Sequence, residues 1–517
     1  MPLSPTASTR DPLPDPVPDS VEQLWDVVVI GTGAGGATAG YGLARQGRSV
    51  LFLERGKQLD RDDAVRRGVA CPRQGDGDAA LRHGWWPRRL YRRDRAGDVP
   101  SAPAVGCGTG GSTALFSMLM DRFRPEDFAP RAFAPSGSDA ALPDAWPVDY
   151  AALAPFYAQA ERLYRVRGTH DPLAAADSAL LPPPAPSGKE TALHDALTGA
   201  GLHPYRMHSA CERAPGCDGC FTVLCPRECR NDAGRVCLRP ALEQHGAHIL
   251  SDCQVLRLEE DQRAVTRAIC RWRGREIAIR ARVFVLAANA FFTPALLQRS
   301  ANDRFPDGLA NSSGLVGRHL MLHVSDIFTL RLKRASADAA GPLNHGVSLN
   351  DFTVRHGTKL GSVHAHAVAT PALPPGARLP EGATFFATIL EDLPYAHNHV
   401  SARAGSDEDV VYEYRYPDEL RRRSADLLQA VKAAAAPRFD FQQLSPVGQL
   451  NTTHVCGTCR FGNNPRTSVL DRHNRAHDLD NLYVVDASFF PSSGGISPSL
   501  TIAANSLRVS EAIDRRL

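Results

Sequence analysis

The chain has 517 residues, of which 43% are hydrophobic and 22% are charged, an ordinary globular composition that suits roughly two to four domains. Its formal net charge of +3 is too close to neutral to favour a nucleic acid or an anionic membrane as partner. No apolar run reaches the roughly 18 residues of a membrane span. Residues 1–24 are rich in Pro and Asp, lack a secretory signal and are predicted to be a disordered leader, so a cytoplasmic location is expected.

The first ordered element is predicted to be a strand–turn–helix–strand unit. Residues 26–30 (DVVVI) form a β-branched run of the kind that is buried in a parallel sheet. The sequence GTGAGG follows at 31–36, then a helical stretch at 37–46 and a second apolar run at 49–53. This order is typical of the βαβ units that bind dinucleotides.

The glycines of this unit stand as GxGxxG, and each has a physical purpose. Gly31 permits the tight turn, Gly33 lets the backbone approach a pyrophosphate, and Gly36 lets the helix pack on the strand. Glu54 ends the second strand, where a carboxylate can accept hydrogen bonds from both ribose hydroxyls, and Arg55 follows it. The unit alone does not separate NAD from FAD, but its place at the start of the ordered chain favours FAD.

An arginine-rich segment follows at residues 82–95, where six Arg alternate with Trp85, Trp86 and Tyr91. We expect a solvated surface loop here. The alternative is a lid or a docking surface for an anionic group.

The remaining elements predict a flavin domain assembled from separated segments. Residues 105–117 are rich in Gly and Ser, 283–288 and 482–485 are buried-strand runs, and 327–445 mix strand and helix patterns without βαβ order. The predicted fold class is α/β, with α+β character overall: a Rossmann-type FAD-binding domain and a substrate domain with an antiparallel sheet. The FAD domain is placed at 25–135, 236–325 and 446–517, and the substrate domain at 136–235 and 326–445.

The C-terminal sequence resembles the closing signature of the glucose–methanol–choline (GMC) oxidoreductase family. It reads HVCGT at 454–458, SVLD at 468–471, NLYVVD at 481–486 and SPSLTI at 497–502. Three other segments agree with the family in the expected order: GTGGST at 108–113, LAANAFFTPALL at 286–297 and NSSGLVGRHL at 311–320. The likeness spans nearly the whole chain and implies a substrate domain whose antiparallel sheet roofs the flavin.

The resemblance also implies positions for the cofactor-binding residues. Gly31, Gly33, Gly36 and Glu54 would hold the ADP half, and Val255 would meet the adenine through its backbone. Asp486, followed by Ala487, would take a ribitol hydroxyl. The remaining contacts, along the pyrophosphate and the flavin ring, would come from Gly110, Gly111, Ser112 and Pro498. Family members that bond flavin covalently usually supply a His near the Gly-Gly-Ser, and 112–117 (STALFS) contain none, so non-covalent FAD is expected. Asn289 stands where Gly is common, which costs nothing if its backbone stays in an ordinary region.

Two residues are implied at the site of alcohol oxidation. His454 opens the family's most specific motif and would act as general base for the hydroxyl proton. The family's second group, His or Asn, is replaced here by Ser497, which cannot act as a base at neutral pH. Ser497 would either contact the substrate oxygen or cap the following helix, or do both.

Six cysteines lie close together between Cys211 and Cys237. Their CxxC at 217–220 could bind a metal, and some membrane-associated relatives carry an iron–sulfur cluster in a comparable region. The favoured interpretation is a cysteine-rich loop, reduced or partly disulfide-bonded, with no metal.

The sequence therefore predicts an FAD-dependent oxidoreductase that oxidises an alcohol group, such as that of a sugar or natural-product intermediate, by hydride transfer to flavin N5. The electrons would pass to O2 or to another acceptor. The alternatives are a non-redox or lyase-type enzyme on the same fold, and a dehydrogenase with an added cysteine-bound iron–sulfur cluster.

Overall fold

The described part of the chain is organised around two large β-sheets. A computed structural model describes residues 21–59, 77–101, 104–174, 178–213, 217, 219–334, 341, 343–366 and 380–517. Residues 1–20 of the predicted leader lie outside it. No helix of the described residues is long and apolar enough to cross a membrane.

The first sheet, here called the flavin sheet, has seven strands in the described residues. Leu24–Ile30 lies between Val50–Leu53 and Arg275–Leu286 and is parallel to both. Val27, Val28 and Val29 are fully buried, as expected for a strand covered on both faces. The other strands are His248–Leu250, Cys253–Asp261, Ala264–Trp272 and Leu482–Val484, the last of which is parallel to Arg275–Leu286.

Helices from both ends of the chain cover the flavin sheet. The first helix, Ala34–Arg45, packs against the last, Ser499–Asp514, and Tyr150–Leu163 packs on that last helix. Asp149 caps Tyr150–Leu163 because its carboxylate accepts the backbone N–H of Ala152. Shorter helices on this side are Gly77–Arg82, Gly111–Ala114, Pro125–Phe128, Pro130–Phe133, Gly234–Leu238, Arg239–Gln244, Phe292–Arg299 and Ala487–Phe489.

The second sheet, here called the roof sheet, has eight strands in the described residues and is antiparallel throughout. Helices Gly188–Thr198 and Asp418–Ala435 contribute Leu193 and Leu427 to an apolar cluster with Phe328 and Phe386 of the sheet. The strands are Tyr205–Arg206, Met321–Val324, Ile327–Leu332, Gly346–Leu349, Gly361–His366, Thr384–Glu391, Phe439–Gln443 and Leu450–Cys456. The predicted fold class is confirmed.

Two roof strands fall in segments that the sequence placed in the flavin domain. Met321–Val324 pairs with Thr384–Glu391 on one side and with Leu450–Cys456 on the other. Leu450–Cys456 continues directly into residues 457–459, whose backbone N–H groups bond the segment that follows the last flavin-sheet strand. At this point the chain therefore runs directly from a roof strand into hydrogen bonds with the flavin domain.

The arginine-rich segment at 82–95 is not a solvated loop. Trp85 is only 4% exposed, and Leu90–Asp94 is a strand. It pairs with Gly97–Ser101 and with Val410–Glu413, which pairs in turn with His399–Ala402. The six arginines themselves are exposed, but Trp85 and Leu90 between them are buried in two apolar clusters, so the segment packs onto the rest of the protein. A two-stranded hairpin, Val354–Arg355 with Thr358–Lys359, completes the strands of the described residues.

Candidate active site

A cavity of about 660 Å³ runs between the flavin sheet and the roof sheet. One end is the glycine-rich turn after Leu24–Ile30, and the other lies beneath the roof strand Leu450–Cys456. Most predicted site residues line it: Gly31, Gly33, Glu54, Arg55, Gly111, Ser112, Val255, His454, Asp486, Ala487, Ser497 and Pro498. Gly36 and Gly110 do not.

The glycine-rich turn has the geometry that its sequence predicts. Gly31 has a φ of +99°, and a Cβ there would lie 2.4 Å from the carbonyl oxygen of Ala287. A Cβ on Gly36 would lie 2.0 Å from the Gly31 carbonyl oxygen, which explains why Gly36 acts in helix–strand packing and not on the cavity wall. The first turn of Ala34–Arg45 has no side-chain cap, so its N–H groups and positive dipole end are open to an anion.

The Glu54 carboxylate is held by four donors from the protein. Oε2 accepts the N–H and the hydroxyl of Thr32, at 3.1 and 2.6 Å, and Oε1 accepts the N–H groups of Gly56 and Gly108, at 2.8 and 3.1 Å. A carboxylate offers about four acceptor positions. Glu54 thus ties the glycine-rich turn to the 104–108 loop, and a ribose would have to compete with these bonds.

The Asp486 carboxylate also lines the cavity and is held by three donors from the protein. Its carboxylate accepts the hydroxyl of Thr293 and the backbone N–H groups of Asn289 and Ser488. Burial raises its pKa above the ordinary range. Asn289 has a φ of +85°, so its backbone is not in the ordinary region that the sequence expectation assumed. Asn is one of the side chains that tolerates this conformation, and its Oδ1 accepts the N–H of Phe291.

Sequence reasoning missed an aromatic part of the wall near Val255. Trp86 stacks on Phe292 with ring centroids 3.9 Å apart, and the Arg55 guanidinium lies 4.0 Å from the Trp86 ring centroid. Arg55 also pairs with Glu408 at 2.5 Å. The sequence feature that could have revealed this wall is the Trp85–Trp86 pair inside the arginine-rich segment, because two adjacent Trp residues are unusual in a solvated loop.

His454 lies near the roof end of the cavity and contacts a second histidine. Its Nδ1 is 2.9 Å from Nδ1 of His323, a fully buried residue on the neighbouring strand. Nε2 of His323 is 2.7 Å from the carbonyl oxygen of Gly494 and 3.2 Å from that of Ser493. Burial lowers the pKa of His323 to about 4, so this residue is neutral at neutral pH. His323 was not among the predicted site residues.

Ser497 also lines the cavity, at 3% exposure. Its hydroxyl donates to the carbonyl oxygen of Leu119 at 3.0 Å. The helix that follows begins at Ser499 with Pro498 at the N-cap position and has no side-chain cap. The capping alternative is therefore wrong, because Pro498 separates Ser497 from the helix. The Ser497 oxygen keeps lone pairs for a ligand in the cavity.

The residues present fit a flavin dinucleotide. The cavity joins an uncapped helix N-terminus, which suits a pyrophosphate, to a wall with His454 and Ser497, which suit a reacting group. Gly33 and Gly111 contact each other on the cavity wall: a Cβ on Gly111 would lie 3.0 Å from the Gly33 Cα, so a side chain at Gly111 would press on the glycine-rich turn.

Comparison with known proteins identifies the family. Residues 148–325 and 394–506 match the sequence profiles described as GMC oxidoreductase, and residues 26–70 match an FAD binding domain. Paromamine 6'-oxidase of Streptomyces fradiae is 32% identical over 95% of this chain and 92% of its own length. The chain belongs to the GMC oxidoreductase family. The 6'''-hydroxyparomomycin C oxidase of Streptomyces lividus is 31% identical over 97% of this chain and 93% of its own length.

A GMC structure shows the same fold. Pyridoxine 4-oxidase from Mesorbium loti superposes with a TM-score of 0.65 at 19% identity, covering 95% of this chain and 99% of the other. The family match and the two Streptomyces relatives identify the present chain as an FAD-dependent enzyme of the type that acts on CH–OH groups.

The cysteine-rich loop lies beside the cavity of this GMC enzyme. Cys211, Cys225 and Cys229 pack together with Cys217 and Cys220, and the adjacent Phe221 and Thr222 line the cavity. These five cysteines are not disulfide-bonded. Within the described residues, no group of three or more His, Cys, Asp or Glu side chains is arranged to hold a metal ion.

Proposed function

We propose that this GMC oxidoreductase oxidises a hydroxyl group of a sugar or a related natural-product alcohol, with His454 as the general base. The observation that carries the proposal is that His454 and Ser497 line the same cavity as the glycine-rich turn. FAD, when bound, supplies a two-electron acceptor for the carbinol hydride. The chain's own part is to take the hydroxyl proton and to hold the carbinol in place.

His454 takes the proton and Ser497 helps to orient the alcohol. An imidazole is suited to accept a hydroxyl proton near neutral pH. The Ser497 hydroxyl already donates to Leu119, so its oxygen acts as an acceptor toward the cavity. The reacting hydroxyl has a single proton, which His454 accepts, so Ser497 would accept a hydrogen bond from a second, neighbouring hydroxyl of the substrate and thereby orient it.

The surrounding surface favours a carbohydrate-like ligand. Polar side chains of Ser325, Thr388, Gln449, Asn451 and Thr452 alternate with aromatic rings around the roof end. Amides and hydroxyls suit sugar hydroxyl groups, whereas rings suit the C–H faces of a sugar. The rings belong to Phe116, Phe221 and Phe385. The cavity-lining residues at 325–327, 385–389 and 449–455 include no Asp, Glu, Lys or Arg, which favours a substrate that is uncharged near the reacting carbon. The two Streptomyces relatives are named for oxidising paromamine and 6'''-hydroxyparomomycin C.

The test is a screen for anaerobic flavin bleaching by neutral sugars, amino sugars and simple primary alcohols. We expect at least one neutral sugar-like alcohol to reduce the flavin, and His454→Ala to abolish reduction by the same compound. His170→Ala, at an exposed histidine, is the control and should behave as the wild type. Readmission of O2 then separates an oxidase, which regains its yellow colour at once, from a dehydrogenase, which needs another acceptor. Failure of every alcohol to bleach the flavin would contradict the proposal and favour a non-redox role.

A further inference from the structure

We infer that His323 is a positioning residue for His454: through its hydrogen bond to His454 it sets the tautomer that leaves Nε2 of His454 able to accept the substrate proton. This inference rests on the proposed role of His454 as general base. It depends on the bonds that His323 makes at both of its ring nitrogens, which fix the direction of a short chain of hydrogen bonds.

The first link of the chain lies at the far side of His323. Its Nε2 lies 2.7 Å from the Gly494 carbonyl oxygen and 3.2 Å from that of Ser493. Carbonyl oxygens only accept hydrogen bonds, so Nε2 of His323 must carry a proton. A neutral imidazole has one N–H, so Nδ1 of His323 is then the acceptor nitrogen. His323 is fully buried, and burial keeps it neutral.

The second link determines the state of His454. The two Nδ1 atoms are 2.9 Å apart and the rings stand at 89°, a geometry that suits a hydrogen bond along the ring plane of the donor. Because Nδ1 of His323 accepts, Nδ1 of His454 must donate. Neutral His454 therefore carries its proton on Nδ1, and its Nε2 carries none and can accept one. Without the acceptor on His323, either tautomer of His454 would be available, and one of them has no basic Nε2.

The same chain of bonds links the two residues of the proposed site. Gly494, which accepts from His323, lies three residues before Ser497 in the turn that brings Ser497 to the cavity. Gly494 has a φ of +68°, and a Cβ there would lie 2.7 Å from the Phe123 ring, so the turn has little freedom to move. His323 thus holds the roof strand of His454 and the turn of Ser497 in one arrangement.

Two variants separate a positioning role from a purely structural one. In His323→Asn the amide head reaches about as far as Nδ1, so its oxygen can still accept from His454 while the bond to Gly494 is lost. In His323→Gln the amide reaches about as far as Nε2, so the bond to Gly494 is kept while the bond to His454 is lost. Each variant loses one buried hydrogen bond, and the neighbouring titratable groups, Glu391 at the end of the adjacent strand and Asp392 just after it, are the same in both.

We expect His323→Gln to slow anaerobic flavin reduction by about 10- to 100-fold, the usual cost of losing a partner that orients a functional side chain. His323→Asn should stay within about threefold of the wild type. The acidic limb of the pH–rate profile should move to lower pH in His323→Gln alone, because a protonated His454 has lost its acceptor. FAD content and thermal unfolding should match between the two variants.

Equal slowing in both variants with an unshifted pH profile would overturn the inference and leave His323 a structural residue. If His454→Ala itself reduces at the wild-type rate, the proposed function fails instead, and the two failures are thus distinguishable. The tautomer of His454 can also be measured without any His323 variant, by 15N NMR of the wild-type holoenzyme with 15N-labelled histidine. The resonances that disappear in His454→Ala should show a proton on Nδ1, and a proton on Nε2 would contradict the inference directly.

Discussion

Ser497→Ala best measures what Ser497 contributes to stability and to flavin reduction at a position where the family usually has His or Asn. It removes the hydroxyl that donates to the Leu119 carbonyl at 3.0 Å, inside a site where Ser497 is 3% exposed. Leaving a buried carbonyl without this donor should lower the free energy of unfolding by about 1–3 kcal/mol. If the Ser497 oxygen also accepts from a second hydroxyl of the substrate, a lost hydrogen bond of about 1.4 kcal/mol should slow flavin reduction about tenfold.

The assay combines thermal unfolding with stopped-flow anaerobic reduction. Ser510→Ala is the matched control, because Ser510 is also buried, its hydroxyl donates to the backbone carbonyl of Leu507, and neither residue lines the cavity. This variant should reduce at the wild-type rate. Ser497→Asn, which restores a common family side chain, should keep activity or change the preferred substrate. A Ser497→Ala enzyme that is less stable but reduces at the full rate would refute the contact with the substrate.

Three further predictions follow from the same geometry. His454→Ala should retain FAD but reduce at least about two orders of magnitude more slowly, the usual worth of a positioned general base; an unchanged rate in stopped flow would remove His454 from the mechanism. FAD should be present at about one per chain, bound non-covalently, so acid precipitation should release the yellow colour into the supernatant; colour kept in the pellet would indicate a covalent link. Burial raises the pKa of Asp392 to about 7 from 3.8, so the folded state holds this proton to higher pH than the unfolded state does, and the contribution to stability is lost as pH rises from about 4 to 7. Asp392→Asn should flatten the change in melting temperature over that range, and an unaltered slope would show that other groups set it.

Much of the flavin side could be predicted from local sequence. The run at 26–30, the glycines and Glu54 are consecutive in the chain, and each of their patterns has a local physical cause. They occur in the structure as strand, turn, helix and second strand. The roles of Glu54 and Asp486 toward the cofactor stay predictions, because both carboxylates also make bonds within the protein.

The roof side was less predictable because its contacts join distant segments. His323 and His454 are 131 residues apart, and nothing local to either one indicates their contact. The Trp86–Phe292 stack and the Arg55–Glu408 pair likewise depend on how four separate segments meet. Ser497 was open to two interpretations because Ser is a favoured N-cap, and only the position of Pro498 decides between them.

The order in which this enzyme can be built follows from the pairing of its first and last elements. The strand Leu482–Val484, the wall residue Asp486 and the helix Ser499–Asp514 are made last, yet they complete the sheet and the cavity begun by Leu24–Ile30 and Ala34–Arg45. A nascent chain on the ribosome has the glycine-rich turn early but lacks the partners that bury it. Stable loading of FAD must therefore wait until the helix Ser499–Asp514 has been synthesised, and removal of this helix should yield a colourless protein.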